Sequence, residues 1–178
     1  MFYMCHVVVG RALYHGYSPK RQAISDLTAV GAPSRLVATI FTALYGACML
    51  AFLVGFYLVF RTLGALFLII MQCVSTAGYL AFPLSGSKST ATFRDKMHIV
   101  VTAVVVISSI VALVLMSVWA FGTHGPLWVG VASVVTFVLM MTGSIVSGAR
   151  PQILGIGERI TIYSLHAYLL ALAILLLL

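Results

Sequence analysis

Acidic side chains are almost missing from this sequence: three Asp and Glu in 178 residues, beside ten Lys and Arg, so that charged residues make up 7 % of the chain. A soluble domain carries roughly 25 %. With a hydrophobic fraction of 62 % and a mean hydropathy of +1.16, that scarcity excludes a water-soluble globular protein. The net charge of +7 does not point to nucleic acid, because no basic domain exists to carry such a surface. Cysteine is sparse too. Cys5, Cys48 and Cys73 all fall in apolar stretches and share no metal-ligand spacing, which reads as three buried thiols without assigned chemistry. No Gly-X-Ser-X-Gly elbow marks a catalytic serine. No basic segment or small-residue cleavage site precedes Arg11, which argues against a signal peptide.

What is present is a series of long apolar runs. A bilayer core about 30 Å thick takes roughly 20 helical residues, and five uncharged segments reach that length: 36–60, 62–82, 98–121, 127–148 and 160–178. A sixth, residues 1–14, gives only about 21 Å of helix; it reads as a partial span or, by preference, as a full span whose beginning lies outside this sequence. The expected fold is an all-α integral membrane protein, a single domain over 1–178 formed by a bundle of six transmembrane helices. A charge at a helix centre costs about 2.5–3.5 kcal/mol and is kept there for ion relays. None of the five clear spans has one, and no inverted repeat or pair of broken helices is detectable, which speaks against an ion-coupled transporter.

Six crossings put the connections at 15–35, 83–97 and 149–159 on one side. Nine of the ten basic residues, Arg11, Lys20, Arg21, Arg35, Lys88, Arg94, Lys96, Arg150 and Arg159, lie there, and only Arg61 lies opposite. The positive-inside rule therefore places these connections in the cytoplasm and both termini outside. Asp26, Asp95 and Glu158 follow the same side. Trp119 and Trp128 flank the outer turn FGTHGP as headgroup-level anchors, and His124 within it reads as a solvated loop residue.

The longest basic connection contains ISDLTAVGAP, residues 24–33. Ser18–Pro19 is a good helix start, and Gly31 with Pro33 a good stop. The expectation is a short helix over about 19–30, with Ile24, Leu27 and Val30 on one face and Gln22, Ser25 and Asp26 on the other, lying flat at the interface while Lys20 and Arg21 snorkel to phosphates.

Taken together, YSPKRQAISDLTAVGAP after a first span, Phe82–Pro83 closing the third, His98 opening the fourth and GERI (157–160) opening the sixth form a pattern. It resembles the bacterial and archaeal membrane family catalogued as domain of unknown function 998, along nearly the whole chain in order and spacing. The resemblance implies a six-span fold in a bacterial or archaeal plasma membrane and no established activity. LSG after the Phe-Pro turn, where the family pattern has an acidic or Cys-containing loop, and His166, where it has Trp, depart from that pattern.

Three polar helix starts on one face suggest a shared site, and Ser25, Asp26, His98, Glu158 and Arg159 are its candidate ligand-binding residues. These side chains suit a lipid headgroup or small amphiphile, or acid–base chemistry with Ser25 as nucleophile in a membrane-embedded hydrolase or transferase. The plainer account pairs Glu158 or Asp26 with Arg159 or Arg94 to fix helix ends, as in a structural or partner-binding membrane protein. No cofactor or metal is expected. Zinc needs His and carboxylate ligands at one depth, but eight residues, about 12 Å of helix, separate Glu158 from His166. Haem between His6 and His166 rests on matching depth alone, and hydrogen bonds to backbone or to Tyr163, Ser164 or Tyr168 are the simpler fate of both rings. Ala43, Ala47, Ala51 and Gly55 make a small-residue stripe, and Gly143 with Ser147 a second pair, for internal helix packing first and for a homodimer second.

Orientation is directly measurable. In a background lacking Cys5, Cys48 and Cys73, Arg21→Cys, Arg94→Cys and Arg150→Cys should all react with an impermeant maleimide from the cytoplasmic side, and Gly125→Cys only from the outside; Arg21→Cys and Arg94→Cys reacting from opposite sides would abolish the shared site.

Overall fold

The computed structural model describes residues 1–86 and 92–177, leaving aside the side chains of Thr123 and His124. Lys88 and the His124 side chain, which figure in the charge and loop readings above, lie outside the described residues. Six α-helices follow one another: α1 (Phe2–Leu13), α2 (Arg35–Phe60), α3 (Leu63–Ala81), α4 (Phe93–Trp119), α5 (Leu127–Ala149) and α6 (Leu154–Leu177). No strand occurs among the described residues. All but the twelve-residue α1 are long and apolar enough to cross a membrane. Each helix packs on its neighbours in sequence, and α6 also reaches α2.

The last helices begin earlier than hydropathy suggests. At α4, Thr92 and Asp95 form a reciprocal capping box, so FRDKM belongs to the helix rather than to the preceding loop. Asp95 also accepts from the Ser85 N–H at 2.8 Å and its hydroxyl at 2.7 Å, which draws the end of α3 to the start of α4. At α6 the helix starts at Leu154, placing Glu158 and Arg159 in its second turn. The hydropathy signal marks where charge ends, while the helix runs on into the polar border.

The largest core runs through the middle of the bundle, with Leu53, Phe56, Leu68, Leu113, Met116, Val129, Leu169 and Leu172 almost wholly buried. Small residues permit its closest contacts. On α5, a Cβ at Gly143 would strike the Gly157 carbonyl and Thr161 of α6, so Gly143 and Ser147 do face another helix of the same chain. The α2 stripe is different: Ala47 and Ala51 are exposed and Gly55 has open space, while Gly46 is the residue that packs, against Thr76. The cysteines also differ from expectation, since Cys48 and Cys73 are exposed and Cys5 is half-buried. In a membrane protein an apolar thiol satisfies lipid as readily as core, so hydropathy does not tell the two apart.

The end away from the basic connections is tight. Arg61, with φ of 47°, ends α2 in the left-handed conformation, and Thr62 caps α3 by accepting from the Ala65 N–H at 3.0 Å. Phe60 meets Trp119 edge to face at 5.7 Å, joining this turn to the α4–α5 connection. Trp119 is thus part of the packing as well as a boundary residue.

Gly143→Val should force α5 from α6 and lower the unfolding midpoint in detergent, by the equivalent of about 1–3 kcal/mol. Gly148→Val, at a position whose added Cβ meets nothing within 4 Å, should leave the midpoint unchanged.

Candidate functional site

The three basic connections meet at one end of the bundle. The Val30 N–H donates to the Leu84 carbonyl at 2.8 Å, and the Gly155 N–H to the Lys20 carbonyl at 3.1 Å, so the α1–α2 connection touches both of the others. Residues 19–30 do not form the expected flat helix. Ser18 accepts from the Arg21 and Gln22 N–H groups in a turn, and a 3₁₀ helix covers only Ile24–Thr28. Ile24 and Leu27 face inward, 2 % and 0 % exposed, packing with Val7, Tyr17 and Ala38. Bonds to α6 and to the α3–α4 connection draw the segment into the bundle, where its apolar side meets protein. Gly10 makes room for Leu27, and the buried Ser34 hydroxyl donates to the Leu27 carbonyl at 2.8 Å.

Glu158 and Arg159 hold this connection. The Glu158 carboxylate accepts from the Ile24 N–H at 2.6 Å. Arg159 Nη1 donates to the carbonyls of Pro19 at 2.6 Å, Gly155 at 2.8 Å and Gln22 at 3.2 Å. Its Nη2 donates to the Tyr17 hydroxyl at 2.7 Å, and the guanidinium lies 5.7 Å from that ring's centroid. The two side chains therefore reach separately into the connection instead of pairing with each other. Tyr17 completes the join by donating to the Ala23 carbonyl at 2.7 Å. Burial pushes its phenol up to about 12 against the opposing pull of Arg159, so the O–H remains a donor throughout the physiological range.

Of the other candidates, Asp26 accepts from the Ala23 N–H at 3.1 Å, and the Ser25 carbonyl accepts from the Thr28 hydroxyl at 3.0 Å. Ser25, Asp26, Glu158 and Arg159 thus share one junction. His98 belongs to another: its Nδ1 lies 2.8 Å from the Phe82 carbonyl, and its ring packs on Tyr79 at 4.8 Å. A carbonyl only accepts, so Nδ1 carries the proton, and His98 ties α3 to α4. No group of three or more His, Cys, Asp or Glu suited to a metal ion occurs among the described residues.

Between these junctions a crevice of about 550 Å³ opens between the start of α2 and the end of α3. Arg35, Thr39 and Thr42 line it from α2, Thr76 and Tyr79 from α3, and Thr28 from the connection. The exposed Arg35 guanidinium has no partner among the described residues. Thr76 Oγ1 accepts from the Gln72 amide at 2.9 Å, which leaves its own O–H to donate. Tyr79 carries the contact to His98, so His98 supports the crevice wall without lining it. Sequence reasoning passed over these residues. Their signal was the spacing of Thr39 with Thr42 and of Thr76 with Tyr79, each pair one turn apart on a helix face.

An all-helical bundle with five apolar helices of spanning length and its polar contacts gathered at one end defines an integral membrane protein. Residues 1–175 match the family described as Protein of unknown function (DUF998), and the chain belongs to that family. No curated protein and no solved structure matches it.

Replacing Arg159 by Lys removes the fork that reaches three carbonyls and Tyr17 at once. Arg159→Lys should speed amide hydrogen exchange across residues 17–26 and lower stability by about 2–4 kcal/mol, in the range for breaking charged hydrogen bonds in a partly buried site. Unchanged exchange there would refute the holding role.

Proposed function

We propose that this protein binds the anionic headgroup of a membrane lipid or small amphiphile in the crevice between α2 and α3, at the cytoplasmic face of a bacterial or archaeal plasma membrane. The carrying observation is the graded lining of the crevice. Exposed Arg35 begins α2, Thr39 and Thr42 follow one and two turns along it, Thr76 lines the crevice from α3, and Leu36, Ala43 and Leu80 complete the wall. No carboxylate lines it among the described residues. A guanidinium matches a phosphate through paired, charge-assisted hydrogen bonds, and beyond it the Thr76 hydroxyl suits a glycerol or ester oxygen as donor, while Thr42, whose hydrogen goes to the Ala38 carbonyl, can only accept. From Arg35 to Ala43 is about 12 Å along the helix, the step from headgroup to upper acyl chain.

The excess of Lys and Arg in the three connections supports the cytoplasmic assignment and an outward C-terminus. In this reading Glu158, Arg159, Ser25 and Asp26 keep the connection folded over α2, and His98 sets Tyr79, so the five candidates shape the site from behind.

Native mass spectrometry of protein extracted with its lipids tests the assignment. Arg35→Glu should cut retained anionic phospholipid about tenfold, the equivalent of about 1.4 kcal/mol. Arg150→Glu, the same charge change at the same end but away from the crevice, should leave it in place. Equal losses from both variants, or none from Arg35→Glu, would sink the crevice as the site.

A further inference from the structure

Three buried imidazole nitrogens lack a partner among the described residues: both ring nitrogens of His6 and Nε2 of His166. His6 is 3 % exposed. The rings belong to one cluster built by three helices. His166 of α6 lies against Tyr3 of α1 at 4.0 Å between centroids and against Tyr45 of α2 at 5.0 Å. Tyr3 meets His6 at 5.4 Å with the planes at 87°, and Tyr45 at 5.2 Å. His166 stands twelve residues past Leu154, about 18 Å along α6, well inside the bundle.

The hydrogen bonds fix what such a cluster accepts. His166 Nδ1 lies 2.7 Å from the Ile162 carbonyl. Since the carbonyl only accepts, Nδ1 carries the hydrogen and Nε2 of the neutral ring is a bare lone pair. His6, neutral, offers one N–H and one lone pair. Each open nitrogen therefore needs its own partner: a donor at His166 Nε2, and one donor and one acceptor at the two nitrogens of His6. A carboxylate or a phosphodiester has no hydrogen to give. A metal ion takes lone pairs but leaves the His6 N–H unpaired, and no third His, Cys, Asp or Glu among the described residues gathers to complete its shell. Haem iron would likewise leave the His6 N–H unpaired. Water molecules, each able both to donate and to accept, satisfy all three atoms.

We propose that Tyr3, His6, Tyr45 and His166 form a binding site for water within the helix bundle. Buried water takes two to four hydrogen bonds from polar groups left unpaired by the protein, and here it supplies α1 with a polar reason to dock. This site is separate from the crevice and does not depend on lipid binding.

Radiolytic hydroxyl-radical footprinting in lipid nanodiscs tests it, because water held beside a buried ring delivers the radical there. His6, Tyr3 and Tyr45 should be oxidised, while Phe56, 0 % exposed in the apolar core, should not be. Either His6→Phe or His166→Phe should reduce the labelling of the remaining rings. Absence of oxidation on His6 and both tyrosines in the unaltered protein, or full labelling in both variants, overturns the proposal.

Discussion

A guanidinium inside a helix bundle that lacks a carboxylate partner has to be satisfied by dipoles, and Arg159 solves this with three carbonyl oxygens and a phenol. Beside it Glu158 takes a backbone N–H. Polar groups away from water carry a large penalty when unpaired, so these bonds leave little freedom to the segment that supplies them. The α1–α2 connection is that segment, and in turn its Lys20 and Val30 bond to Gly155 and Leu84, which brings the other two connections together. Order at this end of the molecule thus propagates from one dipeptide in the second turn of α6.

The crevice is a product of the same arrangement. Thr28, one of its lining residues, is placed by the 3₁₀ helix that Glu158 caps, and Ser34 binds that helix back to the start of α2. On the other wall, Tyr79 is set by His98 and by its own hydrogen bond to Thr102 at 3.1 Å. Neither junction contributes its charged group to the opening. They hold the walls, and Arg35 is left as the cation that faces out.

Much of this was legible in the residues. Long uncharged runs fixed the five membrane-length helices because bilayer thickness sets their length, whereas GERI, read as the opening of the sixth, lies inside a helix that already begins at Leu154. The fate of those charges was not legible. Glu158 and Arg159 look equally suited to pairing with each other, with Asp26 or with a ligand, and only the path of the chain shows that backbone groups of residues 19–24 take them. The 3₁₀ helix escaped for a related reason: an apolar residue every third position fits an interfacial helix facing lipid as well as a short turn facing α1. Arg35, Thr39, Thr42 and Thr76 escaped because one-turn spacing of threonines is too common on a helix to single out a site, and their meeting depends on how α2 and α3 cross.

Arg61 and Thr62 leave only two residues between α2 and α3 at the end opposite the crevice. Such a join fixes the spacing there, and at the other end the Val30–Leu84 bond ties the chain entering α2 to the chain leaving α3. With 26 residues in α2, about 39 Å of helix lies between the two ties. The pair is therefore clamped at both tips, and the opening between its ends is a fixed feature of how the two helices cross.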